Sequence, residues 1–325
     1  MGEALIDLFP DGNVIGGAPF NVARNLAALG AAPLLVTRVG DDPLGRQLAD
    51  EFDRFGLSKA ALQTDVSRRT GQVLVHCDQG GHRFEIGPDQ AWDAIDAAAA
   101  EAAAGRCRPQ IVYFGSLAQR APSSAAAVRA VVAASRRDGD ALCFLDLNLR
   151  EGPDNQAITH TSLHLADVVK VNLDELLQIV AWFLPDADAG PLRSDLPGAC
   201  AQATVVALMQ RFVISRLVVT CGPDGHAAFD RLGGLVAQGP SPQVMVRDTV
   251  GAGDAFSSVL LLGEVLGWPL RLTLERAADF AAAVCGLQGA VSPNDDFYAR
   301  WRQAWSTGAR RQADAGERAP RPSAP

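Results

Sequence analysis

Asp248-Thr249-Val250-Gly251-Ala252-Gly253-Asp254-Ala255-Phe256 sets a glycine turn and a carboxylate at the mouth of an apolar run. From Asp254 the chain continues through Val259, Leu260, Leu262 and Leu266 with no proline before Pro269, which predicts a buried helix with Asp254 near its N-terminus. Gly251 and Gly253 let the backbone approach a ligand closely, and the unpaired N–H groups of a first helical turn suit a negative oxygen. The pattern is an anion hole made by Gly251, Ala252 and Gly253 beside a candidate base, Asp254. Standing alone, Asp254 would serve equally well as an ordinary first-turn aspartate placed for helix stability.

A second segment repeats the theme. Gly16-Gly17-Ala18-Pro19-Phe20-Asn21-Val22-Ala23-Arg24-Asn25-Leu26 is again a glycine pair opening a helix, with Pro19 suited to the first turn and Gly30 to the C-terminal cap. Val22, Leu26 and Leu29 form a core stripe, and Asn21 lies off it near the helix start, where an amide can bind a hydroxylated ligand.

Around these segments, short apolar runs alternate with alanine-rich helical stretches. Residues 34–39, 110–114, 141–145, 168–171 and 217–220 read as strands, and residues 43–55, 123–136 and 173–182 as helices. That β–α order predicts an α/β protein with three layers, α/β/α, around a mostly parallel central sheet, with ligands at the carboxyl ends of the strands. Val14 and Ile15, together with Gly71 to Ile86 around a Gly80-Gly81 turn, predict a small antiparallel sheet inserted at about 12–18 and 71–87. Pro185 to Gly198 reads as a loop. One domain over 1–305 is expected, followed by a disordered tail over 306–325, where Ala, Arg, Pro and Ser dominate.

Composition narrows the function. The chain has 325 residues, 48% hydrophobic and 20% charged, and a formal net charge of −8 with no basic stripe, which argues against a nucleic-acid partner. With no long apolar span, a membrane partner is not expected either. The six cysteines, Cys77, Cys107, Cys143, Cys200, Cys221 and Cys285, are far apart and read as reduced, mostly buried thiols of a cytoplasmic protein. A P-loop is excluded: the only lysines, Lys59 and Lys170, are not in a glycine loop. A nicotinamide enzyme would need its glycine fingerprint after the first strand, and Gly251-Ala252-Gly253 comes late.

The two glycine-opened helices resemble the two signature motifs of the ribokinase-like (PfkB) carbohydrate kinases. Further matches follow in order: Gly2-Glu3-Ala4-Leu5-Ile6-Asp7, Gly40-Asp41-Asp42-Pro43-Leu44-Gly45, Asp146-Leu147-Asn148-Leu149-Arg150, Asn172-Leu173-Asp174-Glu175 and Thr220-Cys221-Gly222-Pro223-Asp224-Gly225. The resemblance covers roughly residues 2 to 305, and its opening motifs are most similar to the fructokinase branch. Only Met1 precedes Gly2, so a shortened first strand is expected.

The resemblance implies an ATP-dependent sugar kinase that phosphorylates a primary hydroxyl of fructose, with Asp254 as general base and the inserted sheet as a lid. It implies sugar contacts from Asp7, Gly16, Gly17 and Asn21, and an Arg150 that orients substrate or phosphate. Arg150 is equally readable as a surface arginine paired with an acid, or as the partner of a sugar-acid carboxylate such as that of 2-keto-3-deoxygluconate. Asn172 and Glu175 would organise Mg²⁺ and phosphate, Glu175 through water, while the same two residues also fit a helix capping box. Thr220, Gly222 and Gly225 would line the nucleotide site, and main-chain carbonyls near Asp248 and Val250 would hold K⁺. A homodimer through the lid, and a non-catalytic sugar-binding relative, are the further expectations to be separated.

Overall fold

A computed structural model describes residues 1–10, 12–78, 81–137, 139–150, 152, 154–232 and 234–316, without the side chains of 76–84 and 307–316. In chain order the strands are β1 Leu5–Phe9, β2 Gly12–Gly16, β3 Thr37–Gly40, β4 Leu62–Asp65, β5 Gly71–Asp78, β6 Gly81–Ile86, β7 Ile111–Gly115, β8 Leu142–Asp146, β9 Val168–Asn172, β10 Arg216–Thr220, β11 His226–Asp230 and β12 Gly234–Gly239. The helices are α1 Ala18–Ala28, α2 Pro43–Arg54, α3 Ala97–Cys107, α4 Pro122–Arg137, α5 Asn155–Leu165 and α6 Leu173–Phe183. They continue with α7 Gly190–Ser194, α8 Ala199–Phe212, α9 Ala252–Leu266, α10 Leu270–Cys285 and α11 Asp295–Gly316.

The large sheet has the order β12-β11-β10-β9-β8-β7. β7 to β10 run parallel to one another, whereas β11 and β12 close the sheet antiparallel. Alternation along each strand builds the layers. Cys143 and Leu145, Val169 and Val171, and Leu217 and Val219 face one core, with α3, α4, α6 and α8. Phe144, Val168 and Val218 face the other, with α1, α9, α10 and α11. This is the α/β/α sandwich that the sequence predicts, and it delivers Asp146, Asn172 and Thr220 to one sheet edge at the carboxyl ends of β8, β9 and β10.

Four expectations need correction. The inserted sheet is mixed rather than antiparallel: its order is β2-β1-β5-β6, β1 and β5 run parallel, and the first strand Leu5–Phe9 is its second member. Polar Asp7 and the short LIDLF run suit a sheet with one face on a cavity better than a sheet buried on both sides. The strand expected at 34–39 begins only at Thr37 and pairs with β4 in a separate two-stranded sheet. The 185–198 loop holds the short helix α7, started by Pro191 in its first turn. α11 runs to Gly316 and so crosses the first part of the expected tail, while 317–325 and Gly80 of the predicted turn lie outside the described residues.

Candidate active site

The carboxyl ends of β8 to β10, the α9 turn and one face of the four-stranded sheet enclose a cavity of about 1080 Å³. Asp7, Gly17, Asn21, Arg150, Asn172, Glu175, Thr220, Gly222, Gly225 and the run Val250 to Asp254 all line it. Gly16 is buried beside it, against the Asp7 carboxylate, and Asp248 stands just outside the lining. A smaller hollow of about 330 Å³, around Arg108 and Ser135, carries none of the candidate residues.

Gly251 caps α9 in the left-handed region at φ 79°, and a Cβ there would run into Ala290, so the turn requires glycine twice over. Asp248 braces it from behind: its carboxylate accepts the N–H of Val250 and of Gly289, both at 2.9 Å. The Ala252 N–H is turned back to the Thr249 carbonyl at 3.2 Å, which corrects the expectation that it faces a ligand. Among the described residues the amides of Gly253 and Asp254 have no backbone acceptor, so the unpaired N–H groups of this turn lie one residue further along than the motif suggested.

Asp254 occupies the third position of α9, recessed in the cavity wall, and its Oδ2 accepts Asn21 Nδ2 at 2.7 Å. Burial pushes its carboxyl up to about 6, the Asn21 hydrogen bond pulls it down, and Asp146 raises it against Lys170 and Arg150. Desolvation is the largest influence, and it leaves a carboxylate more basic than a free aspartate that is still mostly ionised at neutral pH.

Behind the turn lies a polar network that the motifs did not announce. Lys170 Nζ reaches Asp146 Oδ1 at 3.0 Å and the Gly253 carbonyl at 3.3 Å, and Ser257 donates to Asp146 Oδ2 at 2.6 Å. Burial works against the Lys170 ammonium, but Asp146 and then Glu175 hold its pKa above the usual value. The only signal in the sequence was a lysine inside an apolar strand, which is costly without a partner. Asn172 and Glu175 form the reciprocal capping box of α6, at 2.8 Å each way, and Glu175 Oε1 also accepts Leu149 N–H at 2.8 Å. Their capping role is thus real, and both residues still face the cavity.

On the opposite wall, Asp7 has no side-chain hydrogen bond among the described residues, and burial lifts its carboxyl to about 6, with Arg150 and Arg24 pulling the other way. Glu3 is 2% exposed with Oε2 unpartnered, and burial raises it to about 7. Gly225 lies under the Gly239 carbonyl at φ 104° and Gly222 adopts φ 57°, so the tight turn after β10 favours glycine at both positions. Among the described side chains Cys107 and Cys200 are exposed, Cys221 and Cys285 are half-buried and only Cys143 is buried, correcting the expectation of mostly buried thiols; the Cys77 side chain lies outside the described residues. No helix among the described residues is long and apolar enough to cross a membrane.

Fold and site together put this chain among the ribokinase-like sugar phosphotransferases. It belongs to the pfkB family of carbohydrate kinases, whose family model matches residues 11–296. A fructokinase of Klebsiella pneumoniae is 32% identical over 276 residues, covering 81% of this chain and 82% of that protein. Among solved structures, the fructokinase with bound ATP from Xylella fastidiosa superposes with a TM-score of 0.77 at 25% identity, covering 94% of this chain and 97% of the other. The fructokinase of Vibrio cholerae O395 in its fructose, ADP and calcium ion bound form gives 0.70 at 25% identity, covering 92% and 96%.

Proposed function

We propose that this enzyme transfers the γ-phosphoryl group of ATP to a primary hydroxyl of fructose. The observation that carries the reading is Asp254: a desolvated carboxylate, one oxygen held by Asn21, next to the unsatisfied amides at the start of α9. In the reaction Asp254 accepts the hydroxyl proton as the sugar oxygen bonds to the γ-phosphorus and the bond to the β-phosphate oxygen breaks, releasing ADP. The Gly253 and Asp254 amides take up charge on the transferred group, and Lys170 holds the turn in place through the Gly253 carbonyl. Asp7 on the facing wall accepts sugar hydroxyl protons, and its sheet acts as the lid.

The nucleotide lies along Thr220, Gly222 and Gly225. Among the described residues no cluster of three or more His, Cys, Asp or Glu could cage a metal, which suits Mg²⁺ carried by phosphates and water with Glu175 reaching it indirectly. Mg²⁺ supplies neutralisation of the phosphate charge. K⁺ would rest on the carbonyls of Asp248 and Val250, since the Asp248 carboxylate is already occupied by amides. A cytoplasmic enzyme, dimerising through the outer face of the lid where Leu74 is exposed, completes the reading; the solution mass tests the dimer.

The decisive experiment is ADP release with ATP and Mg²⁺ against fructose, 2-keto-3-deoxygluconate, ribose, glucose and adenosine, run beside Asp254→Asn. Fructose turnover that collapses in the variant supports the proposal. Turnover confined to the keto acid and abolished by Arg150→Ala would make Arg150 a carboxylate ligand, and fructose binding without turnover would make the protein a sugar-binding relative.

A further inference from the structure

We propose that Arg24, which does not line the cavity, is a positioning residue for Asp254, acting by fixing which end of the Asn21 amide faces the carboxylate. The inference rests on Asp254 as the base. Arg24 lies inside α1, 4% exposed. Its Nη1 donates to Glu51 Oε1 of α2 at 3.0 Å, and its Nη2 donates both to Asn21 Oδ1 at 2.6 Å and to the Ile15 carbonyl of β2 at 3.0 Å. The guanidinium also stacks over Phe20, 4.9 Å from the ring centroid, which holds its plane.

The two ends of an asparagine amide have nearly the same shape and opposite polarity. A guanidinium has donors and no acceptor, so only the amide oxygen can face it, and the NH₂ is forced toward Asp254. A flipped amide would set its oxygen against the carboxylate and its NH₂ against Arg24, two repulsive contacts in place of two charge-assisted hydrogen bonds. Polarity is thereby passed from Glu51 on α2, through Arg24 and Asn21 on α1, to Asp254 on α9. Because the same Nη2 holds the Ile15 carbonyl, the strand leading into Gly16 and Gly17 is tied to the same point.

Arg24 also attracts the Asp254 carboxylate directly, a charge that Arg24→Lys retains; the other groups that act on Asp254 are Asp146 on β8, Lys170 on β9, Arg150 beyond β8 and Glu3 ahead of β1, with Tyr113 on β7 also in range. None of these other groups is altered by the variants chosen. Arg24→Met alone would leave the buried Glu51 charge with only the half-exposed Arg54 at 3.5 Å, so the test uses Arg24→Met/Glu51→Met, which removes both charges, and Arg24→Lys, which keeps the ion pair but cannot span all three acceptors.

Titration of the Asp254 carboxyl is followed by ¹³C NMR in the full chain, assigned with Asp254→Asn, with no substrate present. In both variants the titration is expected to move upward by roughly one unit, matched by Asn21→Ala. The acid limb of kcat/KM with fructose and ATP should move with it. Folded variants whose Asp254 titrates within roughly 0.2 unit of wild type overturn the inference. Retention of turnover by Asp254→Asn instead overturns the reading of Asp254 as base and leaves the NMR result to decide Arg24.

Discussion

The two walls of the cavity are built on opposite terms. On the wall made by the sheet edge and the α9 turn, polar groups are interlocked: Asp146 with Lys170 and Ser257, Glu175 with Asn172 and Leu149, Asp248 with Val250 and Gly289. On the wall made by the four-stranded sheet, Asp7 is desolvated and lacks such partners, and Glu3 close by keeps an unpartnered oxygen. The first wall is organised before any ligand arrives, as charge stabilisation requires. The second keeps hydrogen-bonding capacity in reserve, for which it forgoes stability.

Substitutions should separate the two. The largest effect is expected from Asp254→Asn on the interlocked wall, a loss in kcat of roughly 10² to 10⁴ in an ADP-release assay with little change in sugar KM. In the wild type the same assay should show activity falling as pH drops through about 6, where Asp254 takes up its proton. Next, Lys170→Met should cost about 3 to 5 kcal/mol of stability in urea denaturation, because it leaves the Asp146 charge buried and unpaired.

On the facing wall the sign reverses. The folded-state carboxyl of Asp7 lies above its unfolded value, so its cost to stability is absent at low pH, grows as pH rises from about 4 to 6, and is fully present above. Asp7→Asn should therefore stabilise the ligand-free protein at pH 7.5 by on the order of 1 kcal/mol and not at pH 4, while raising sugar KM. A destabilised Asp7→Asn at pH 7.5 would break the contrast. The smallest effect is expected from Glu175→Gln, which keeps one carboxamide acceptor of the capping box and should cost about 0.5 to 1 kcal/mol.

The sequence made the sandwich legible wherever apolar alternation and glycine turns coincide. The strands ending at Asp146, Asn172 and Thr220 and the helices opened by Gly17 and Gly251 fall within a few residues of expectation. β11 and β12 were missed, since His226-Ala227-Ala228-Phe229 and Leu235-Val236-Ala237-Gln238 have no clean alternation and are strands because β10 pairs with β11 and β11 in turn with β12. Leu5–Phe9 reads as a strand, but which sheet it joins is decided by a partner at Gly71, 66 positions away from Leu5 in the numbering. Around the cavity, the sequence pointed to residues in motifs but not to the pairings between distant residues. Lys170 and Asp146 are 24 positions apart and acquire meaning only when β8 and β9 lie side by side.

The brace behind the α9 turn bears on how the enzyme could be re-engineered. Gly251 is pressed by Ala290 and Asp248 is fastened to Gly289, so the turn and the short stretch following α10 form one mechanical clip. A mutational library meant to change sugar preference should leave residues 287–292 untouched, because changes there would distort the α9 turn. Diversity belongs on β1 and at Val73 and Ile86, where the cavity lining can be rewritten while the clip keeps its shape.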